Sequence, residues 1–166
     1  MVRLASVNDL LPIAAIYNQA IRHGFQTCFT EDFSVEKIQD WYEDHRSGLY
    51  PVLVYEDAGQ LTGWASVSPY RKGRGALADT VEISYFIHRD FQGKGYGRAL
   101  LEEVLKTCIW KGFHAVVAVV LSPNILSIQL LEKSGFEKWG RLPEVAVFSG
   151  KRCDQILYGK LLIASR

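Results

Sequence analysis

The stretch from Thr80 to Leu121 constrains the fold more than any other. It opens with TVEISYFI, apolar on both faces apart from Glu82 and Ser84, and passes through a short polar link into Gln92-Gly93-Lys94-Gly95-Tyr96-Gly97. After the glycines, Leu100, Leu101, Val104, Leu105, Cys108 and Ile109 recur at helical spacing. Gly112 and His114 mark a turn into AVVAVVL, residues 115–121, a continuous apolar run of the kind that forms strands buried on both faces and paired in parallel. Strand, helix and parallel strand make a right-handed crossover, with the Gly-rich loop at the carboxyl end of its first strand.

That position suits phosphate. The first N–H groups of a helix lack intrahelical partners, and the macrodipole adds partial positive charge there. Glycines at 93, 95 and 97 remove the Cβ atoms that would hold a pyrophosphate off, and Arg98 adds a full charge in the first turn. An ordinary Gly-rich turn is the competing reading. A Walker loop, GxxxxGK[ST], is absent, and the GxGxxG fingerprint fails because Arg98 stands where the third glycine after Gly93 and Gly95 belongs. No acidic residue ends the next strand to hold a ribose, which disfavours NAD.

At 166 residues and 48% hydrophobic, the chain is expected to form one globular domain, residues 1–166, with a substantial core. Net charge +1 gives no reason to expect a nucleic-acid or anionic-membrane partner. The longest apolar run, residues 115–121, is too short to cross a bilayer, and the N-terminal residues lack the pattern of a signal peptide. Cys28, Cys108 and Cys153 are widely spaced and odd in number, so neither a disulfide framework nor a zinc site is expected. A reduced cytoplasmic setting follows.

Elsewhere the periodicity predicts a strand at residues 2–5 and a helix from about Asn8 to Ile21, capped by Ser6 or Asn8 and stopped by Gly24. Residues 25–33 are an aromatic-rich loop, either a lid on the core or, through Phe25 and Phe29, the lining of a substrate mouth. A second helix is expected from the cap Ser34 to near Gly48, then a hairpin of residues 51–55 and 61–68. The basic loop PYRKGRGALAD, residues 69–79, is either a solvated surface or a place where an arginine grips a carboxylate bidentately. A last helix is predicted over 124–134 with Gly135 closing it, followed by strands at 136–141 and 154–161 separated by a loop containing Pro143 and Gly150.

This order of elements resembles the GCN5-related N-acetyltransferase (GNAT) superfamily along nearly the whole chain, and within it the phosphinothricin acetyltransferase group. The matching residues are Ile16-Tyr17-Asn18, Thr80-Val81-Glu82, Gly93-Lys94-Gly95-x-Gly97, Asn124-x-x-Ser127 with Leu130-x-Glu132-x-x-Gly135-Phe136, and Gly150-Lys151-x-x-Asp154. The resemblance implies an α/β (α+β) GNAT fold: a mixed sheet of about six to seven strands with a splayed central parallel pair, flanked by about four helices. It implies acetyl-CoA as donor and a small amino-acid-like amine as acceptor, of the phosphinothricin, methionine sulfoximine or methionine sulfone type. It also implies a homodimer; from the charge and the cysteine spacing above, neither a metal nor a nucleic acid is expected. The cofactor would lie along Tyr85, Phe86 and Ile87 and on Gln92, Gly93, Lys94, Gly95, Tyr96, Gly97 and Arg98, with Asn124 and Ser127 holding its arm.

Transfer requires the neutral amine. A lysine-like amine is neutral about once in 2,500 at pH 7, whereas an α-amine is neutral on the order of 10 to 20% of the time. An α-amino acceptor therefore needs only a modest base. Glu82, a carboxylate in an apolar strand, is the candidate, acting through a water; its plainer reading is a strand-end ion pair with Arg71. Among the four histidines only His88 lies near this site, where side-chain alternation predicts it exposed. Cys108 falls on the buried helical stripe, so direct attack in a ternary complex is favoured over an acetyl-cysteine intermediate. With Phe29, Arg71 and Glu82 assigned to the acceptor, two departures from the family pattern stand out. Leu130-Leu131-Glu132 replaces the common Leu-His-Glu, and Ala78 replaces a second basic residue, so phosphinothricin itself is in doubt.

Overall fold

The computed structural model describes residues 1–162. Seven strands form one sheet: β1 (Val2–Leu4), β2 (Val52–Asp57), β3 (Gln60–Pro69), β4 (Thr80–Ile87), β5 (Ala115–Leu121), β6 (Glu137–Phe148) and β7 (Lys151–Leu161). Their spatial order is β1-β2-β3-β4-β5-β7-β6. The described residues also form four α-helices, α1 (Leu10–His23), α2 (Val35–Glu43), α3 (Tyr96–Trp110) and α4 (Ile125–Lys133). All strand pairs are antiparallel except β4–β5. The parallel pair read from the AVVAVVL run is therefore present, joined through α3.

The sheet separates two cores. On one face Leu100, Leu101, Val104 and Cys108 of α3 and Leu131 of α4 pack at 0–1% exposure against Val67, Val81, Ile83, Val116 and Ala118. At about 1.5–3 kcal/mol for each large side chain removed from water, this seam anchors the crossover. Ile109, expected on the same stripe, is 40% exposed, because it is turned about 100° around the helix from the fully buried Cys108 and lies beside the stripe that packs on the sheet. On the other face Leu10, Ile13 and Ile16 of α1 and Ile38 of α2 meet Val52, Val54 and Trp64. Period-two alternation along β4 sends Val81, Ile83, Tyr85 and Ile87 to the first face and turns Glu82, Ser84 and Phe86 to the second.

Local signals explain most boundaries. The backbone N–H and hydroxyl of Ser6 both donate to Asp9 Oδ2, at 2.7 and 2.9 Å, and organise a 3-10 turn from Val7 to Asp9 that leads into α1. The flanking residue of α1 is thus Asp9, not Ser6 or Asn8. Ser34 Oγ accepts from Lys37 N and caps α2, which ends at Glu43; only single turns continue to Gly48.

The carboxyl-terminal hairpin differs most from expectation. In place of two short strands and a long loop, β6 runs unbroken to Phe148, and a tight turn at Ser149-Gly150 returns the chain. Pro143 is tolerated because β6 is the sheet edge and bulges there, its register with β7 shifting between Leu142 and Ala146. Asp154 clamps the bulge, accepting from Glu144 N at 2.9 Å and Arg141 Nε at 2.6 Å. Among the described residues no helix is long and apolar enough to cross a membrane, and no group of three metal-ligating side chains comes together.

Candidate active site

The parallel ladder between β4 and β5 runs from Thr80↔Ala115 only to Ile83↔Ala118. Beyond that rung each strand keeps its outer neighbour: β4 stays with β3 to Ile87, and β5 stays with β7 to Leu121. The two strands consequently splay, and a cavity of about 320 Å³ opens between Ser84–Ile87 and Ala118–Val120, with Asn124 and Ser127 of α4 and the Gly-rich loop closing its sides.

That loop is built as its sequence requires. Gly93 and Gly95 adopt φ of +76° and +85°, left-handed values that favour glycine, and a Cβ on either would meet nothing within 4 Å. A side chain at Gly97 would approach Leu130 at 3.3 Å, so this glycine lets α3 start close against α4. None of the backbone N–H groups from Gly93 to Arg98 finds an acceptor among the described residues, since the first helical bond is Ala99 N to Gly95 O. They line the mouth of the slot, where the macrodipole adds positive potential.

The side chains expected to hold a cofactor occupy this region in different ways. Asn124 caps α4, its Oδ1 accepting from Ser127 N at 3.3 Å. Ser127 Oγ lies 2.6 Å from the Tyr85 hydroxyl, and burial pushes that phenol up to about 12, so it stays protonated. Gln92 Nε2 donates back to Ile87 O, bracing the end of β4. Tyr96 stacks on Tyr55 and Phe91 and bonds Asp57, Lys94 lies over Phe91, and Arg98 pairs with Glu102 along α3. Phe86 borders the slot and packs against Trp64 behind it.

Glu82 stands one rung before the split, opposite Val117 on β5 and Ser68 on β3. Burial raises its carboxyl above the usual glutamate range, and the nearby Arg71 guanidinium opposes part of that rise. Arg71 itself lies over the Tyr70 ring, in electrostatic reach of Glu82 without a direct hydrogen bond. The strand-end ion pair is thus reduced to a weaker through-space attraction.

The aromatic loop divides its residues. Phe29 packs edge-on against Tyr17 and Phe33 over a second, smaller cavity of about 180 Å³ on the α1–α2 side of β4. Phe25 points elsewhere, its φ of +60° swinging it onto Phe148 at the tip of the hairpin, so it does not line the mouth as expected. His88 is also not free: its side chain is only 21% exposed, with Nε2 2.9 Å from Gln19 and Nδ1 accepting from Asp90 N. His45 is buried next to the second cavity, against two of its lining residues, Trp41 and Ser68. Its Nδ1 donates to Trp41 O at 2.7 Å, and its Nε2 lies 3.3 Å from Ser68 Oγ. Trp64 and the serines Ser66, Ser68 and Ser84 of that cavity escaped the sequence reading; only the alternation of β3 and β4 hints that they share a face.

A parallel pair opened at its carboxyl ends over a Gly-rich helix start defines the GCN5-related fold. The model of the Acetyltransferase (GNAT) family matches residues 18–136. A methionine sulfoximine/methionine sulfone acetyltransferase of Salmonella typhimurium is 35% identical over 92% of this chain and 89% of its own. A phosphinothricin N-acetyltransferase of Streptomyces coelicolor is 30% identical over 97% and 95%. The crystal structure of a phosphinothricin acetyltransferase from Sinorhizobium meliloti in complex with AcCoA superposes at a TM-score of 0.93, with 29% identity over 98% of this chain and 88% of that one. The chain belongs to the GNAT acetyltransferase family.

Proposed function

We propose that the protein transfers an acetyl group from acetyl-CoA to the α-amino group of a small amino-acid-like acceptor. The observation that carries this is the vertex of the splay: Glu82, with its raised pKa, sits one rung before a slot whose far end is lined by unpaired N–H groups. Those donors, freed of Cβ atoms at Gly93 and Gly95, suit the pyrophosphate, and the unpaired edge of β4 beyond Ile83 suits an amide-bearing arm added as a strand.

The chemistry then follows from this chain's own groups. Glu82 takes a proton from the acceptor ammonium, directly or through one water, and Arg71 holds the acceptor carboxylate. The freed nitrogen lone pair attacks the thioester carbonyl; a C–N bond forms, the C–S bond breaks, and its electron pair leaves on sulfur. The substrates for which the relatives are named support an amino-acid-like acceptor, and the modest neutral fraction an α-amine already has makes one carboxylate an adequate base.

Thiol release from acetyl-CoA, followed against a panel of amino acids, their sulfone and sulfoximine analogues, polyamines and peptides, tests the reading. Turnover concentrated on small α-amino acids is expected. Tight acetyl-CoA binding with no turnover of any amine would overturn it and mark a binding module.

A further inference from the structure

The smaller cavity lies on the sheet face that carries Glu82. Ser84 and Phe86 line both cavities, and Glu82 precedes Ser84 by two residues, roughly 7 Å along the strand. An acceptor whose amine reaches the slot and whose carboxylate reaches Arg71 therefore has one direction left for its side chain. An apolar cavity of about 150 Å³ admits a benzene-sized guest, so about 180 Å³ has the size of one side chain.

Its walls are selective. The rings of Tyr17, Phe29, Phe33, Trp41 and Phe86 form an apolar sleeve, and none of the described residues that line it is charged; Lys37 rides outside, over Phe33 and Phe29. Trp64 lines the same cavity at 3% exposure, and its indole Nε1 is the buried side-chain polar atom without a hydrogen-bond partner among the described residues. An indole N–H only donates, and burying one unpaired is costly enough that it is normally satisfied. Ser66, Ser68 and Ser84 add hydroxyls to the walls, with Ser68 committed to His45.

We propose that this cavity takes the acceptor's side chain and that Trp64 determines which one: an uncharged chain bearing a hydrogen-bond acceptor that receives the indole N–H. The inference rests on the acetyl-transfer reading above and adds a specificity-determining residue to it. A purely apolar chain leaves Nε1 unpaired, and an anionic chain meets no cation in the sleeve to offset its desolvation.

Three nearly isosteric amino acids separate the possibilities: 5-oxonorleucine, with a neutral carbonyl, norleucine, with none, and glutamate, with a carboxylate. The wild-type protein is expected to show kcat/KM for 5-oxonorleucine about tenfold or more above either of the others. In Trp64→Phe the preference over norleucine should shrink to within about twofold. An unchanged preference in Trp64→Phe, wild-type activity on norleucine or glutamate equal to that on the ketone, or turnover of other amino acids but none of these three would each overturn the assignment while leaving acetyl transfer intact. Absence of turnover with every amine defeats the functional reading instead. Should Trp64→Phe fail to fold, the indole ¹H–¹⁵N signals of the wild-type protein's four tryptophans decide the matter. One signal should move with 5-oxonorleucine and not with norleucine; movement with both or with neither counts against the proposal.

Discussion

Ser68 stands directly opposite Glu82 across the β3–β4 ladder, and its hydroxyl is engaged by His45 Nε2. The cross-strand neighbour of the candidate base is thus a neutral group, and burial outweighs the through-space pull of Arg71 in setting the carboxyl's proton affinity. A carboxylate paired with a cation in the same place would be held deprotonated and weakly basic. The arrangement keeps Glu82 basic enough to matter.

Glu82→Gln is accordingly expected to lower kcat about 10²-fold near neutral pH, at the low end of the range for general base catalysis because an α-amine supplies part of its own neutral form. Acetyl-CoA affinity should change by less than about twofold. Turnover that matches the wild type across pH 6 to 9 would sink the assignment. Stability supplies a second readout. Burial holds the folded pKa above the ordinary glutamate range, so the folded state binds the proton more tightly and loses stability as pH rises through that raised value. Glu82→Gln should therefore raise Tm relative to wild type at pH 7 to 8 and lose that advantage at pH 4.

The loop glycines make separable demands. At Gly95 the φ of +85° means that alanine costs about 1–2 kcal/mol of backbone strain, and its methyl meets no protein atom within 4 Å. Gly95→Ala is expected to weaken acetyl-CoA binding about tenfold by calorimetry and to lower Tm by a few degrees. Gly75, with equally open space and no left-handed backbone, provides the contrast; Gly75→Ala should move neither quantity appreciably. Wild-type affinity in Gly95→Ala would show that the cradle is not where phosphate binds.

Much of this site was readable because its signals are local. AVVAVVL announces a strand buried on both faces, and the run of three glycines before Leu100 and Leu101 announces a helix start that something must approach closely. The hairpin of β6 and β7 was misread because an edge strand carries little burial pattern: most of β6 is exposed, and Pro143 breaks a ladder on only one side. Asp154, whose place near Gly150 was noted as a motif, turns out to support that bulge. Trp64, His45 and Ser68 lay beyond reach for a different reason, since their roles arise where α2, β3 and β4 meet, and no spacing within one segment encodes such a meeting.

At the other end of the sheet, Arg3 donates to both oxygens of Asp9, at 2.8 and 2.9 Å, while Ser6 adds further bonds. The Arg3 hydrogen bonds are the chief cause of an Asp9 pKa lowered from 3.8 to about 2. A depressed carboxyl pKa contributes stability that is present above the unfolded value and lost as pH falls through the folded one. Asp9→Asn should therefore cost about 2 kcal/mol at pH 7, allowing for the part-exposed arginine, and the difference from wild type should vanish between about pH 4 and pH 2. Urea denaturation across that range checks it; a penalty independent of pH would assign the loss to packing.

Arg71 gives the sharpest division between binding and structure. It leans on the Tyr70 ring in the loop that follows β3 and acts on Glu82 only through space, so its guanidinium donors are available to a ligand. A bidentate grip on a carboxylate is worth roughly 1.5–3 kcal/mol as hydrogen bonds to a charged group. Arg71→Ala should then raise KM about 10- to 100-fold for α-amino acids and leave their decarboxylated amines, poor substrates to begin with, nearly unaffected. The pH dependence supplies a second test: without the arginine, the attraction that lowers the Glu82 pKa is gone, so the acid limb of kcat/KM should move to higher pH. Equal losses for both substrate types, with no movement of that limb, would make Arg71 a structural residue and return the carboxylate site to the rest of residues 69–79.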